Sequence, residues 1–177
     1  MEERFEIRLS GSGGQGLILA GIILAEAAIL DGKNAVQSQS YGPEARGGAS
    51  RSEVIISNTD IDYPKVTKPK ILLALTDEAL HKFKDNIADE GVIIIDSSVK
   101  KVDTPFKIIQ LPIIETARNK IGKSMVANMV AVGVITELTK AVSREGVEKA
   151  ILNRVPKGTE ELNIKAFNAG CNLAEQI

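Results

Sequence analysis

FEIRLSGSGGQGLILAGIILAEAAIL, residues 5–30, is the stretch on which the fold turns. Phe5, Ile7 and Leu9 alternate with Glu6 and Arg8, the period of a strand with one apolar face. Gly11-Ser12-Gly13-Gly14-Gln15-Gly16 follows at once. Leu17 to Leu30 then runs apolar apart from Glu26 and stops at Asp31-Gly32, where glycine suits a helix end. At roughly 14 residues that run is too short to span a bilayer and suits a buried helix. Strand, glycine turn and helix in this order open an α/β fold, with the helix start turned toward any anion the turn could receive.

The rest of the chain repeats the alternation. Ala35 to Gln39 reads as a second strand. Val54-Ile55-Ile56, Ile71 to Leu75 and Val92 to Ile95 are short, continuous and rich in branched residues, the pattern of strands covered on both faces in parallel sheets. Ile108-Ile109 adds another strand. Thr76 before Asp77-Glu78 has the cap and acids of a helix start. After Gly122 the pattern turns helical. Ser124 to Ala141 reads as one long helix with Met125, Met129 and Val132 on one stripe, and shorter helices follow at 145–153 and 159–176. The expected fold is α/β, a Rossmann-like three-layer arrangement around a mostly parallel sheet, with a helical C-terminal third and residues 1–177 in a single domain.

Composition narrows the function. The chain has 177 residues, 44% hydrophobic and 25% charged, with a net charge of −1. It has no basic field for nucleic acid or an acidic membrane, and no Trp for base stacking. The charged N-terminus, Met1-Glu2-Glu3-Arg4, lacks the apolar core of a signal peptide, so a cytoplasmic location is expected. One cysteine, Cys171, cannot make an internal disulfide, an iron–sulfur cluster or a Cys-rich zinc site alone.

Gly11, Gly13 and Gly16 have the dinucleotide spacing G-x-G-x-x-G in the right context. The acid that should hold the ribose is missing: the second strand reads Val36-Gln37-Ser38-Gln39, and Asp31 comes too early. A dinucleotide would have to rely on Lys33 or Arg46 for a 2′-phosphate. Gly122-Lys123-Ser124 fails as a P-loop, because position 117 is Ala117 and helix-start chemistry accounts for Ser124. His81, the one histidine, falls on a surface helix beside Lys82 and Lys84. Cys171 reads as a small buried residue, and Met125 and Met129 as core filler. Asn128 is a polar amide in an apolar helix that must find partners, either by bracing a loop from within or by facing another subunit.

A second motif is too polar for core: Tyr41-Gly42-Pro43-Glu44-Ala45-Arg46-Gly47-Gly48. Its glycines permit turns that side chains block, Pro43 fixes one torsion, and Arg46 is shaped to fork onto a carboxylate or phosphate. Together with Gly11 to Gly16 it resembles the gamma subunit of 2-oxoacid:ferredoxin oxidoreductases. Asn128 and the closing Val155-Pro156, Asn163, Ala166-Phe167 and Gly170 fit as well, so the resemblance spans the chain. Arg46-Gly47-Gly48-Ala49 after Tyr41-Gly42-Pro43-Glu44 looks most like the 2-oxoglutarate type. The pyruvate and branched-chain types, or a stand-alone dinucleotide-binding protein, are the alternatives.

The resemblance implies a complex that oxidatively decarboxylates 2-oxoglutarate to succinyl-CoA and reduces ferredoxin. Thiamine diphosphate with Mg2+ and the iron–sulfur cluster would sit in alpha, beta and ferredoxin-like delta subunits, since this chain has no Gly-Asp-Gly…Asn-Asn thiamine signature. It would have no catalytic residue or metal of its own. Gly11, Ser12, Gly13, Gly14, Gln15, Gly16, Tyr41, Glu44, Arg46, Gly47, Gly48 and Asn128 would face coenzyme A or a partner. In isolation the chain is expected to be inactive and able to self-associate through the surface meant for its partners.

Overall fold

A computed structural model of the chain describes residues 4–40 and 48–177. The strands are β1 (Arg4–Gly11), β2 (Asn34–Ser40), β3 (Ser50–Ser57), β4 (Ile71–Ala74), β5 (Val92–Asp96) and β6 (Lys107–Leu111). The helices are α1 (Leu17–Leu30), α2 (Asp77–Phe83), α3 (Ile113–Glu115), α4 (Ala127–Thr139), α5 (Arg144–Arg154) and α6 (Glu160–Ala174). The strands form one sheet in the order β2-β3-β1-β4-β5-β6.

The parallel half is β1-β4-β5-β6. β4 and β5 are buried on both faces, as their unbroken branched runs require. β3 breaks the pattern. Its apolar run Val54–Ile56 reads as a parallel strand, but it lies antiparallel to both β1 and β2. Chain length explains the reversal. Only residues 41–49 separate β2 from β3, too few for the crossover of about a dozen that parallel neighbours need.

Two helical layers cover the sheet unequally. α1, α4, α5 and α6 share one core with Ile7, Leu9, Val54, Ile56, Leu73 and Ile94. α2 packs on the other face with Leu72, Ala74, Ile93 and Ile95. Thr76 caps α2, its Oγ1 accepting from the Ala79 N–H at 3.2 Å. On that second face β1 is polar where α2 does not reach fully: Arg8, 2% exposed, donates to Glu53 across the β1–β3 pair at 2.7 Å and stacks 5.2 Å from the Phe83 ring centre.

The expected single helix over 124–141 is broken at both ends. Ser124–Val126 is a 3-10 turn, α4 begins at Ala127, and Lys140 closes it in the left-handed region at φ 52°. From Ala127 to Thr136 every residue of α4 is buried, so this helix is apolar all round because it is wrapped all round. It crosses α6 at glycine contacts. A Cβ on Gly133 would stand 2.1 Å from the Phe167 carbonyl oxygen, and one on Gly170 2.0 Å from that of Val130.

Candidate functional site

β1 is where the chain parts. It feeds α1 on one face, while its parallel neighbour β4 feeds α2 on the other. Such a switch point opens a crevice at the carboxyl ends of the strands, and the glycine turn 11–16 occupies it. The turn has two halves. Gly11, Gln15 and Gly16 hold it together from inside. Gln15 folds back so that its Oε1 accepts from the Ser12 N–H at 2.8 Å. Gly16 is left-handed at φ 72° and its carbonyl accepts both the Ala20 N–H, at 3.1 Å, and Asn128 Nδ2, at 3.1 Å. Asn128 Oδ1 accepts the Met129 N–H at 2.9 Å. The buried amide therefore braces the turn from α4.

Ser12, Gly13 and Gly14 form the outer half and are exposed. Among the described residues there is open space around Gly13: a Cβ there would meet none of them within 4 Å, and its φ is ordinary. The first turn of α1 follows, with N–H groups that have no acceptor inside the helix. The helix axis aims its positive end at the same spot.

Beside Gly14 and Gln15 lies a cleft of about 390 Å3 closed by Ile114, Arg118, Ser124 and Met125. Arg118 comes from a π-helical turn, Thr116–Ile121, a geometry that recurs at functional sites. Arg118 is exposed and brings a positive charge to this rim. Met125 corrects an expectation: it is 75% exposed on the rim, not core filler, while Met129 is fully buried. Ser124 opens its 3-10 turn without a side-chain cap, contrary to the reading of it as a helix cap.

The described residues that flank the second motif lie at this same edge. β2 ends at Ser40 beside Arg51, and β3 begins at Ser50 opposite Gly11, with Ser50 Oγ donating to the Gly11 carbonyl at 3.3 Å. Gly48 is half-buried just before β3. Tyr41, Glu44, Arg46 and Gly47 lie outside the described residues.

Other residues singled out in the sequence are engaged elsewhere. Asp31 accepts the Ser143 N–H at 2.6 Å and ties α1 to α5. Lys33 donates to the Ala141 carbonyl at 2.6 Å, at the far end of β2 from the glycine turn, so it is not placed to meet a 2′-phosphate there. His81 is solvent-exposed, its Nδ1 2.7 Å from the Asp77 carbonyl. Cys171 is fully buried, and desolvation pushes its thiol up to about 11. Among the described residues no three His, Cys, Asp or Glu side chains gather as metal ligands. One buried thiol does not fit an iron–sulfur cluster.

Sequence reasoning missed Arg118 and read Met125 as core filler. The one available signal was the basic run from Arg118 to Lys123, next to the Gly122-Lys123-Ser124 stretch set aside as a failed P-loop.

Comparison with known proteins agrees with this architecture. The family described as pyruvate ferredoxin/flavodoxin oxidoreductase matches residues 6–173. The 2-oxoglutarate synthase subunit KorC of Methanocaldococcus jannaschii is 52% identical, over 98% of this chain and 96% of that protein. The gamma subunit of a keto/oxoacid ferredoxin oxidoreductase from Geobacter sulfurreducens superposes with a TM-score of 0.90 at 52% identity, covering 98% and 97% of the two chains. A third structure shares the fold alone. The 2-oxoglutarate:ferredoxin oxidoreductase of Magnetococcus marinus gives a TM-score of 0.88 at 21% identity, and this chain matches 32% of that longer one. The chain belongs to the pyruvate ferredoxin/flavodoxin oxidoreductase family. Among the described residues no helix is long and apolar enough to cross a membrane.

Proposed function

We infer that this chain is the gamma subunit of a 2-oxoglutarate:ferredoxin oxidoreductase, and that its glycine edge receives coenzyme A at the junction with a catalytic partner. Full-length identity to a 2-oxoglutarate synthase subunit supports the substrate. The oxidative decarboxylation yields succinyl-CoA, and the electrons pass to ferredoxin. Thiamine diphosphate, with Mg2+, supplies the carbanion chemistry, and iron–sulfur clusters carry single electrons. This chain's donor set fits neither group, so both belong to alpha, beta and ferredoxin-like delta chains. The M. marinus chain carries a unit of this fold as part of a longer polypeptide, in keeping with a gamma unit that works against another unit.

One observation carries the coenzyme A reading: the Ser50–Gly11 pairing brings the flanks of the second motif to the glycine turn. In this reading Ser12, Gly13 and Gly14 offer backbone N–H groups to a phosphate. Gly11, Gln15, Gly16 and Asn128 hold that backbone in place. Within the second motif of Tyr41, Glu44, Arg46, Gly47 and Gly48, Arg46 has the chemistry to fork onto a phosphate and Glu44 the charge to pair with Arg46. The positive rim at Arg118 faces the same anion.

The test is affinity purification of the chain under anaerobic conditions from its native lysate, followed by viologen reduction assays. Recovery of thiamine-binding and cluster-binding chains, with CoA-dependent activity on 2-oxoglutarate, supports the reading. Activity on pyruvate alone replaces the substrate, and recovery of the chain alone removes the complex.

A further inference from the structure

The cleft beside the glycine turn has two walls of different chemistry. One is built on the turn itself: Gly14 has no side chain, and Gln15 is folded back onto Ser12. The other is side chain: Ile114, Arg118, Ser124 and Met125. Its volume of about 390 Å3 falls within the span of roughly 300–1,000 Å3 usual for small-molecule sites.

The charge of the cleft is one-sided. Among the described residues no acid lines it. Glu115, the acid nearest to Arg118 in sequence, accepts from Asn119 Nδ2 at 3.4 Å instead. Arg118 has no ion-pair partner among the described residues. Its position is nonetheless fixed, because its π-helical turn is anchored by buried Thr116 and Ala117. Next to this cation, Met125 holds an exposed thioether on the same wall.

We propose that this cleft holds the nucleotide end of coenzyme A, and that Arg118 selects the ligand by its 3′-phosphate. The proposal rests on the coenzyme A reading above and adds the orientation of the ligand and the residue that recognises it. Coenzyme A carries phosphate in two places, a pyrophosphate within its length and a phosphomonoester on its ribose. The pyrophosphate suits backbone N–H groups at positions without side chains, which the outer half of the turn offers. The phosphomonoester carries about two negative charges near neutral pH and presents three oxygens to a guanidinium fork. Adenosine joins the two phosphates. Ile114 and Met125 give its base an apolar bed, where a polarisable sulfur meets a ring favourably.

The orientation follows from where the chemistry lies. The reacting atom of coenzyme A is its thiol, at the end opposite the nucleotide. The donor set of this chain fits neither thiamine nor a cluster, so the thiol has to react in a partner subunit. Holding the nucleotide here leaves the pantetheine arm free to reach across the junction.

Steady-state kinetics of the assembled oxidoreductase tests this, with coenzyme A and 3′-dephospho-coenzyme A compared. The wild type should favour coenzyme A by about tenfold or more in kcat/KM, since a site built around a polar group rejects the analogue that lacks it. Arg118→Ala should raise KM for coenzyme A about tenfold with kcat unchanged, and leave KM for the dephospho analogue alone. Arg118→Lys should keep part of the preference, having the charge without the fork. Met125→Ala should raise both KM values equally. Calorimetric titration of the resting complex with adenosine 3′,5′-bisphosphate should show binding that weakens about tenfold in Arg118→Ala. A wild type indifferent to the 3′-phosphate overturns the proposal. So do KM values in Arg118→Ala that both rise equally or both stay put, and so does loss of partner subunits from that variant, which would make the rim a protein contact. In each of those cases a raised KM in Gly13→Ala keeps coenzyme A at the glycine turn. If Gly13→Ala also leaves both KM values unchanged, the coenzyme A reading itself fails.

Discussion

Gly16 is fixed by the fold twice over. Its φ of 72° suits glycine, and a Cβ there would sit 2.5 Å from Asn128 Nδ2, the atom that holds the Gly16 carbonyl. Gly13, three residues earlier, answers to nothing among the described residues: its φ is ordinary and none of them lies within 4 Å of a Cβ there. The two sites separate stability from binding. Gly16→Ala should lower unfolding free energy by about 2 kcal/mol, from the left-handed penalty and the displaced amide. Gly13→Ala should leave the denaturation midpoint unchanged. In the assembled oxidoreductase it should raise KM for CoA by about tenfold with little effect on kcat, an effect of ~1.4 kcal/mol on a binding contact. Urea titration and steady-state kinetics of the two variants read these outcomes. An unchanged KM in Gly13→Ala would move the ligand away from the outer half of the turn.

At the scale of elements, two junctions invite measurement. The first is the α4–α6 crossing. Gly133→Ala and Gly170→Ala each push a methyl against a backbone carbonyl of the other helix, which no rotamer change relieves. Each should cost about 1–3 kcal/mol, and the double variant should cost less than their sum, since one helix displacement serves both. The second junction joins three helices: Glu137 of α4 accepts from Arg144 Nε at 2.8 Å and from Lys140, and Arg144 also pairs with Glu175 of α6. The Lys140 hydrogen bond, then that of Arg144, holds the Glu137 carboxyl below its usual value near 4.5. A lowered carboxyl pKa stabilises the fold above the unfolded value and loses that contribution as pH falls through the folded one. Glu137→Gln should therefore flatten the acid limb of the stability profile below about pH 5 and leave the slope near neutrality alone. Solvent at the pair keeps the effect small.

The same scale shows what the residues disclosed beforehand. β1, α1 and the Thr76 cap are local features, and spacing alone reveals them. The direction of β3 is not encoded in Val54–Ile56. It follows from the short 41–49 connection, a constraint legible in the sequence but outweighed there by the continuous apolar run. The π-helical turn at 116–121 has no periodic signature, so the Arg118 rim stayed hidden. Met125 shares the α4 spacing with Met129, yet the helix begins after it, and a stripe drawn one turn too far put an exposed side chain in the core.

The whole molecule poses the question of whether the helical third melts with the sheet. α4 and α6 share one continuous core with β1, β4 and α1, and that continuity favours a single cooperative unit over residues 1–177. Cys171 reports on it. The thiol lies on α6, fully buried, and desolvation raises it to about 11, so its thiolate is scarce at pH 8 and native-state reaction needs an opening. A thiol reagent added along a guanidinium titration should label Cys171 with the same midpoint as the loss of far-ultraviolet circular dichroism. Labelling at clearly lower denaturant would mean that α6 detaches first, as a separate low-stability unit. A single transition would also tie the Asn128 brace to the fate of the sheet. Asn128 reaches Gly16 only while α4 is docked, so whatever loosens the helical third also releases the glycine turn. Gly133→Ala should then shift both probes together and increase labelling in proportion to its loss of stability.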